Sequence, residues 1–149
     1  MRSKLLEEAP RTWALVFDTG DEVMGPLAEF AREQELSASD FSAIGAFSEA
    51  TLGYFNVERT DYDRIPVREQ VEVLSLLGHV TREPEGGPNV HAHAVLGRAG
   101  GEAIGGHLIE AVVRPTLEVV LTESPAHLRR TKDPETGLAL IDLGASDAT

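Results

Sequence analysis

The chain of 149 residues contains no cysteine. Disulfides, thiolate zinc sites and cysteine nucleophiles are all excluded, so any metal must be held by nitrogen and oxygen donors. Long apolar runs are missing too. No window approaches the roughly 20 apolar residues of a membrane-spanning helix, and the opening "MRSKLLEEAP" has no apolar stretch of signal-peptide length. The expectation is a soluble, cytoplasmic protein with no membrane partner. Positive charge is scarce: 13 Lys and Arg stand against 25 Asp and Glu, a formal net charge of −12. A field of that sign repels phosphate backbones, which argues against direct DNA binding. The nearest thing to a basic cluster, Arg129, Arg130 and Lys132, is followed at once by Asp133 and Glu135 and reads as a solvated face. No G-K-[ST] follows "GRAGGEAIGG", and neither Ser75 nor Ser124 has a G-x-S-x-G setting. Nucleotide-loop and serine-hydrolase readings therefore have no support.

What is present suits one folded domain. Hydrophobic residues make up 42% and charged residues 26% of a chain long enough for a single core. "RTWALVFD" (11–18) alternates, with Trp13, Leu15 and Phe17 on one side and Ala14 and Val16 on the other, as a strand covered on both faces does. After the "DTGDE" turn, Val23, Leu27, Phe30 and Ala31 fall at helical spacing, which predicts a helix from the mid-twenties to about Glu35 with Pro26 in its first turn. "SDFSAIGAF" and "ATLGYFNV" read as consecutive strands, "DYDRIP" as turn-rich, and "QVEVLSLLGHVT" (70–81) as a long strand. Beyond "REPEGGP" come a hairpin, "VHAHAVLG" and "GEAIGGHLIEAVV", a further strand "TLEVVLTE" after Pro115, and a short last strand "LALIDL". One helix among many closely spaced strands predicts an α+β fold with a largely antiparallel sheet. The apolar strands outnumber what one helix can cover, so subunit interfaces are expected. The small, polar end of the chain, 144–149, reads as a disordered tail.

Three of the five histidines, His91, His93 and His107, cluster around that glycine-rich hairpin. Side chains at i and i+2 of a strand share a face, so His91 and His93 point the same way. A turn centred on Ala99 would set His91 opposite His107 and His93 opposite Gly105, bringing the three imidazoles together. A one-residue slip would turn His107 to the other face. Two readings stand: a chance grouping in a hairpin, or a metal site. Three neutral histidines with an open position is the pattern of catalytic or ligand-binding zinc, whereas structural zinc is usually closed by four protein ligands. His79 and His127 lack a partner at metal spacing and read as structural or surface residues.

"EVLSLLGHV", "GPNVHAHAVLG", "GGEAIGGHLIEAVVRPTLEVVLTE" and "ETGLALIDL", in this order, resemble the PPC (plants and prokaryotes conserved) domain. The likeness spans a domain at 11–143, leaving 1–10 as an N-terminal extension. It implies an α+β homotrimer that binds zinc, or a similar divalent ion, through His91, His93 and His107. The fold is also similar to acetolactate decarboxylase, which implies room for a small-molecule ligand or lyase-like chemistry at the ion. Glu118, in the family's T-x-E-V position, is a candidate further ligand or partner of one, or else a strand glutamate paired with an arginine. Where relatives often carry an arginine before the long strand, this chain has Gln70, with Arg68 two residues upstream. That departure weakens any arginine-dependent chemistry. The alternative the resemblance offers is a non-enzymatic, DNA-associated or assembly module, although the R-G-R-P motif of the plant relatives' DNA-binding segment is absent.

Overall fold

The computed structural model describes residues 1–8, 10–83, 86–124 and 128–145. Strand β1 (Arg2–Glu8) pairs antiparallel with β2 (Arg11–Asp18), where Trp13, Leu15 and Phe17 are buried as their alternation predicts. The chain then turns through Gly20, at φ +92°, into helix α1 (Met24–Glu33). The Glu22 carboxylate accepts hydrogen bonds from the backbone N–H groups of Met24 and Gly25, at 2.9 and 2.7 Å, and so satisfies donors that the helix start leaves free. Glu35 adopts a left-handed conformation just beyond the last turn, at φ 55°. The apolar stripe of α1 buries Leu27, Phe30 and Ala31, and Phe30 meets Trp13 edge-on with ring centroids 5.6 Å apart.

Two of the remaining strands, β3 (Ser39–Asn56) and β7 (Ala103–Glu123), are longer than the sequence suggests. The two expected strands across 39–57 are one, β3 (Ser39–Asn56), which bends at irregularities in pairing instead of ending. Gly45 permits one bend: at φ +151° it lies so close to β7 that a Cβ would stand 2.2 Å from the Thr116 carbonyl oxygen. The segment read as turn-rich is strand β4 (Asp61–Val67), paired with the end of β3. Its Asp and Pro suit a strand with one neighbour, where an unpaired N–H side faces outward.

Next come β5 (Val71–Arg82) and β6 (Pro88–Gly97). The two segments expected on either side of Pro115 form one strand, β7 (Ala103–Glu123), which continues through a cis Arg114–Pro115 bond. A short hairpin, β8 (Arg129–Lys132) and β9 (Ala139–Asp142), closes the described chain. These nine strands form one sheet among the described residues, antiparallel except for a single parallel pairing of β5 with β8. The predicted α+β class with one main helix and a dominant antiparallel sheet is what the chain adopts.

Because β7 is so long, its two halves take different partners. Along one edge His107–Glu123 pairs with β3, while the other edge pairs first with β6, over Ala103–His107, and then with β2, over Thr116–Thr122. The pairings β7–β3–β5–β6–β7 thus close on themselves. The inner side holds one core, with Leu15, Phe17, Phe47, Leu52, Leu76, Leu96, Leu108, Leu117 and Leu121 fully enclosed. Each such side chain stabilises the fold by about 1.5–3 kcal/mol relative to exposure. The histidines occupy the opposite, outer side.

Candidate metal centre

Alternation along β6 sends Ala92, Ala94 and Leu96 into the core and His91 and His93 outward. Across the hairpin, His93 faces His107, and Val95 faces Gly105. On the other side His91 faces His79 of β5. The expected pairing of His91 with His107 is therefore displaced by two residues. The loop runs from Arg98 to Glu102, closed by the Arg98 N–H donating to the Glu102 carbonyl at 2.8 Å and the Gly101 N–H to the Arg98 carbonyl at 2.9 Å. Its centre is Gly100, not Ala99, and the positive φ that it needs falls on Gly101 at +90°. Since side chains repeat every two residues, a shift of two leaves every histidine on its expected face.

Two glycines let the backbones approach. A Cβ on Gly78 would lie 2.3 Å from the Phe41 ring and 2.7 Å from the His91 carbonyl oxygen, and one on Gly106 would lie 2.8 Å from the Gly53 carbonyl oxygen. The resulting group is close-set. Ring centroids of His91 and His93 are 5.0 Å apart, those of His91 and His107 5.0 Å, and those of His93 and His107 5.5 Å. One ligating atom from each of the three lies within 4.8 Å of the others. His93 is exposed while His91 and His107 are half-buried, so the group opens to solvent on one side. Tyr62 of β4 stacks on His107 at 4.7 Å.

The donor set suits a borderline divalent ion. The Nε2 atoms of His91 and His93 are 3.2 Å apart, against about 3.3 Å for two nitrogens at tetrahedral zinc distances. His107 Nδ1 is buried with no hydrogen-bond partner among the described residues. Burial, reinforced by the neighbouring His107 and Arg130, pushes the His91 imidazole down to about 4, and burial followed by His93 lowers that of His107. Both rings are thus neutral at neutral pH and keep a lone pair for a metal.

One residue expected on a solvated face lies beside this group. Arg130 of β8 is buried, with 8% of its surface exposed. Its Nε donates to Thr81 Oγ1 at 2.7 Å, its two terminal nitrogens reach the Ala139 carbonyl and His79 Nε2, and the second of these stands 3.5 Å from His91 Nδ1. The charged neighbours that read as surface, Arg129 and Lys132, are indeed exposed, but alternation in β8 turns Arg130 inward between them. A four-residue strand with three basic residues carries no apolar pattern to reveal its inner side, so the sequence held little signal for Arg130. His79, expected to be structural, is held by that same guanidinium, and its ring is 5.2 Å from that of His91.

Glu118 is not brought to the histidines within one chain. It stands farther along β7, exposed, opposite Val16 and Ile44, on the wall of a separate cavity with Leu77 and Val120. Arg68 lines another cavity, beside Glu22, Glu49 and Glu110, and Gln70 a third. His127 and residues 146–149 of the expected tail lie outside the described residues.

Antiparallel α+β architecture with an outward cluster of three strand histidines defines a class of protein. Its family is equally plain: residues 6–125 match the Plants and Prokaryotes Conserved domain, and the chain belongs to that family. Solved structures agree. A plant- and prokaryote-conserved protein from Pyrococcus horikoshii is 30% identical, with 95% of this chain and 94% of that one covered at a TM-score of 0.82. A metal-containing protein from Archaeoglobus fulgidus is 33% identical over 94% of this chain and 96% of that one, with a TM-score of 0.77. A protein from Ralstonia eutropha JMP134, described as a putative DNA-binding protein, is 31% identical over 88% of this chain and 90% of that one, at 0.81. That relative corrects the expectation drawn from net charge: repulsion averaged over the whole surface is no ground for removing DNA from the partners considered for this family.

Acetolactate decarboxylase from Bacillus subtilis strain 168 shares the fold at 13% identity, with 74% of this chain and 51% of that one covered and a TM-score of 0.55. No curated protein matches the chain by sequence. No helix among the described residues is long and apolar enough to cross a membrane.

Proposed function

We propose that this chain is a metal-binding protein in which His91, His93 and His107 hold one zinc or similar divalent ion at a site open to a small-molecule ligand. The observation that carries this reading is the convergence of one nitrogen from each histidine within 4.8 Å on an outward face. The metal-containing relative from Archaeoglobus fulgidus supports it. An ion held there would act as a Lewis acid toward an oxygen ligand or bound water. The protein's part is to hold the rings: Tyr62 stacks on His107, and the β5–β6–β7 register fixes their spacing. Binding of a small ligand, or lyase-like chemistry on it, is the role such a site serves.

The working form in this reading is a homotrimer in the cytoplasm. Ile44, Leu74, Leu77 and Val120 are 64%, 56%, 61% and 49% exposed around one cavity on the outer side of the sheet, a concentration that favours burial against other copies. The test of the metal site is elemental analysis of protein loaded with zinc and desalted. One equivalent per chain is expected. His93→Ala and His107→Ala should each weaken binding by more than the roughly 10–100-fold that losing an outer partner of a ligand costs. His79→Gln should retain the ion, and its loss there as fully as in His93→Ala would sink the three-histidine assignment.

A second reading, association with DNA, is favoured by the description of the Ralstonia eutropha relative. A duplex titration at several salt concentrations tests it, because the slope of affinity against salt counts the phosphates neutralised.

A further inference from the structure

Beside the histidines lies a cavity of about 230 Å³, walled by His91, His107, Tyr62, Asn89, Arg130 and Leu140 among others. We propose that this cavity is an anion subsite in which Arg130 holds a small carboxylate against the metal ion. The inference rests on the metal reading above and names the class of ligand that the site takes.

Three observations carry it. Arg130 is a buried cation, yet no carboxylate is ion-paired with it among the described residues. Its partners are a hydroxyl, a carbonyl and neutral imidazole nitrogens. Glu83, whose charge does act on it, has its carboxylate taken by the Asn89 amide. A divalent ion on the neutral histidines would add two further positive charges beside the same cavity, and buried charges of one sign demand a counter-ion.

The second observation is a matter of tautomers. His91 Nε2 faces His93 Nε2 and is the atom placed to ligate. When it does, the imidazole proton sits on Nδ1, which is 3.5 Å from a terminal nitrogen of Arg130. Two N–H donors then face one space, and an acceptor must enter between them. A carboxylate offers two oxygens for that purpose.

The third is rigidity and size. Thr81, Ala139 and His79 fix three nitrogens of the guanidinium, so little freedom is left to lose on binding. The cavity is smaller than the roughly 300–1,000 Å³ of sites for drug-sized molecules, which restricts the ligand to a few heavy atoms beyond the carboxylate. Arg130 and Leu140 lie beyond residue 125, where the family match ends. The subsite is thus walled jointly, by Tyr62, Asn89, His91 and His107 from within the matched segment and by Arg130 and Leu140 from the C-terminal hairpin.

Propionate and its neutral isostere propionamide are the probes, titrated calorimetrically into zinc-loaded protein and followed in cobalt-loaded protein by the visible absorption of the ion. Propionate should bind about 10–100-fold more tightly than propionamide, the worth of a charge-assisted hydrogen bond, and should perturb the cobalt spectrum. Arg130→Gln should keep one equivalent of metal and lose that preference, while Arg130→Lys should keep part of it. Should Arg130→Gln not fold, Arg130→Lys decides, because zinc alone also favours the acid: an acid preference there identical to that of the unaltered chain overturns the inference. Equal binding of acid and amide by a protein that holds its ion overturns this inference while leaving the metal site standing. A chain that takes no metal overturns both.

Discussion

At the scale of single residues, the histidines are governed by what surrounds them. His91 has rings of His79, His93 and His107 around it and the Arg130 guanidinium at its Nδ1, and burial with this company holds its pKa at about 4. In the unfolded chain the same imidazole takes a proton near 6.5. Between these values the unfolded state binds more protons, so the metal-free protein should lose stability as pH falls from 6.5 towards 4 and recover it as pH rises. Half-burial limits the effect to well under about 1.4 kcal/mol per pH unit. Thermal midpoints between pH 6.5 and 5, above the carboxylate range, read it directly. His91→Asn should flatten the slope, and an unchanged slope would mean that the neighbours do not act on this ring. The same lowering predicts that metal is retained to more acidic pH than ordinary imidazoles allow.

The elements of the fold set the spacing of those residues. Alternation was enough to put His91 and His93 on one face, but the facing residue depended on where the hairpin turned. The turn lies one residue farther along than its sequence suggests, because Gly101 takes the positive φ. The close approach of β5 to β6 at His79 and His91 depends on Gly78, whose hydrogen occupies the place where a methyl would meet Phe41 and the His91 carbonyl. Gly78→Ala should therefore cost about 1–3 kcal/mol, the range for overpacking a closed site. Gly87→Ala, where a Cβ meets nothing within 4 Å, should be close to neutral. Denaturant midpoints compare the two, and equal losses would show that the strand pair tolerates the added methyl.

At the scale of the whole molecule, the sheet uses its inner side for the core and leaves an outer side that is apolar in part. Leu77 stands directly across from His93, so the exposed apolar patch and the histidines share that side. A trimer formed through the patch would bring assembly and site close together. Light scattering of the unaltered chain should return three times the chain mass at micromolar concentration, and Leu77→Glu should shift it to one while the circular dichroism of the fold is kept. A monomer in the unaltered protein would exclude the patch as an assembly surface.

Patterns local to the chain were enough for the α+β class, helix α1, the inward alternation of β2 and the common face of His91 and His93. Each depends on the fixed periods of helix and strand, which a sequence displays directly. The continuity of β3 and β7 was decided by tertiary structure. A glycine or proline that usually ends a strand can instead mark a bend where another strand comes close, as Gly45 does at Thr116. The separation of Glu118 from the histidines along one bent strand was decided in the same way. So was the burial of Arg130: its neighbours Arg129 and Thr131 are exposed, while its partners Thr81, His79 and His91 come from strands far earlier in the chain. Local period tells which residues share a face. Only the packing of distant strands determines what that face meets.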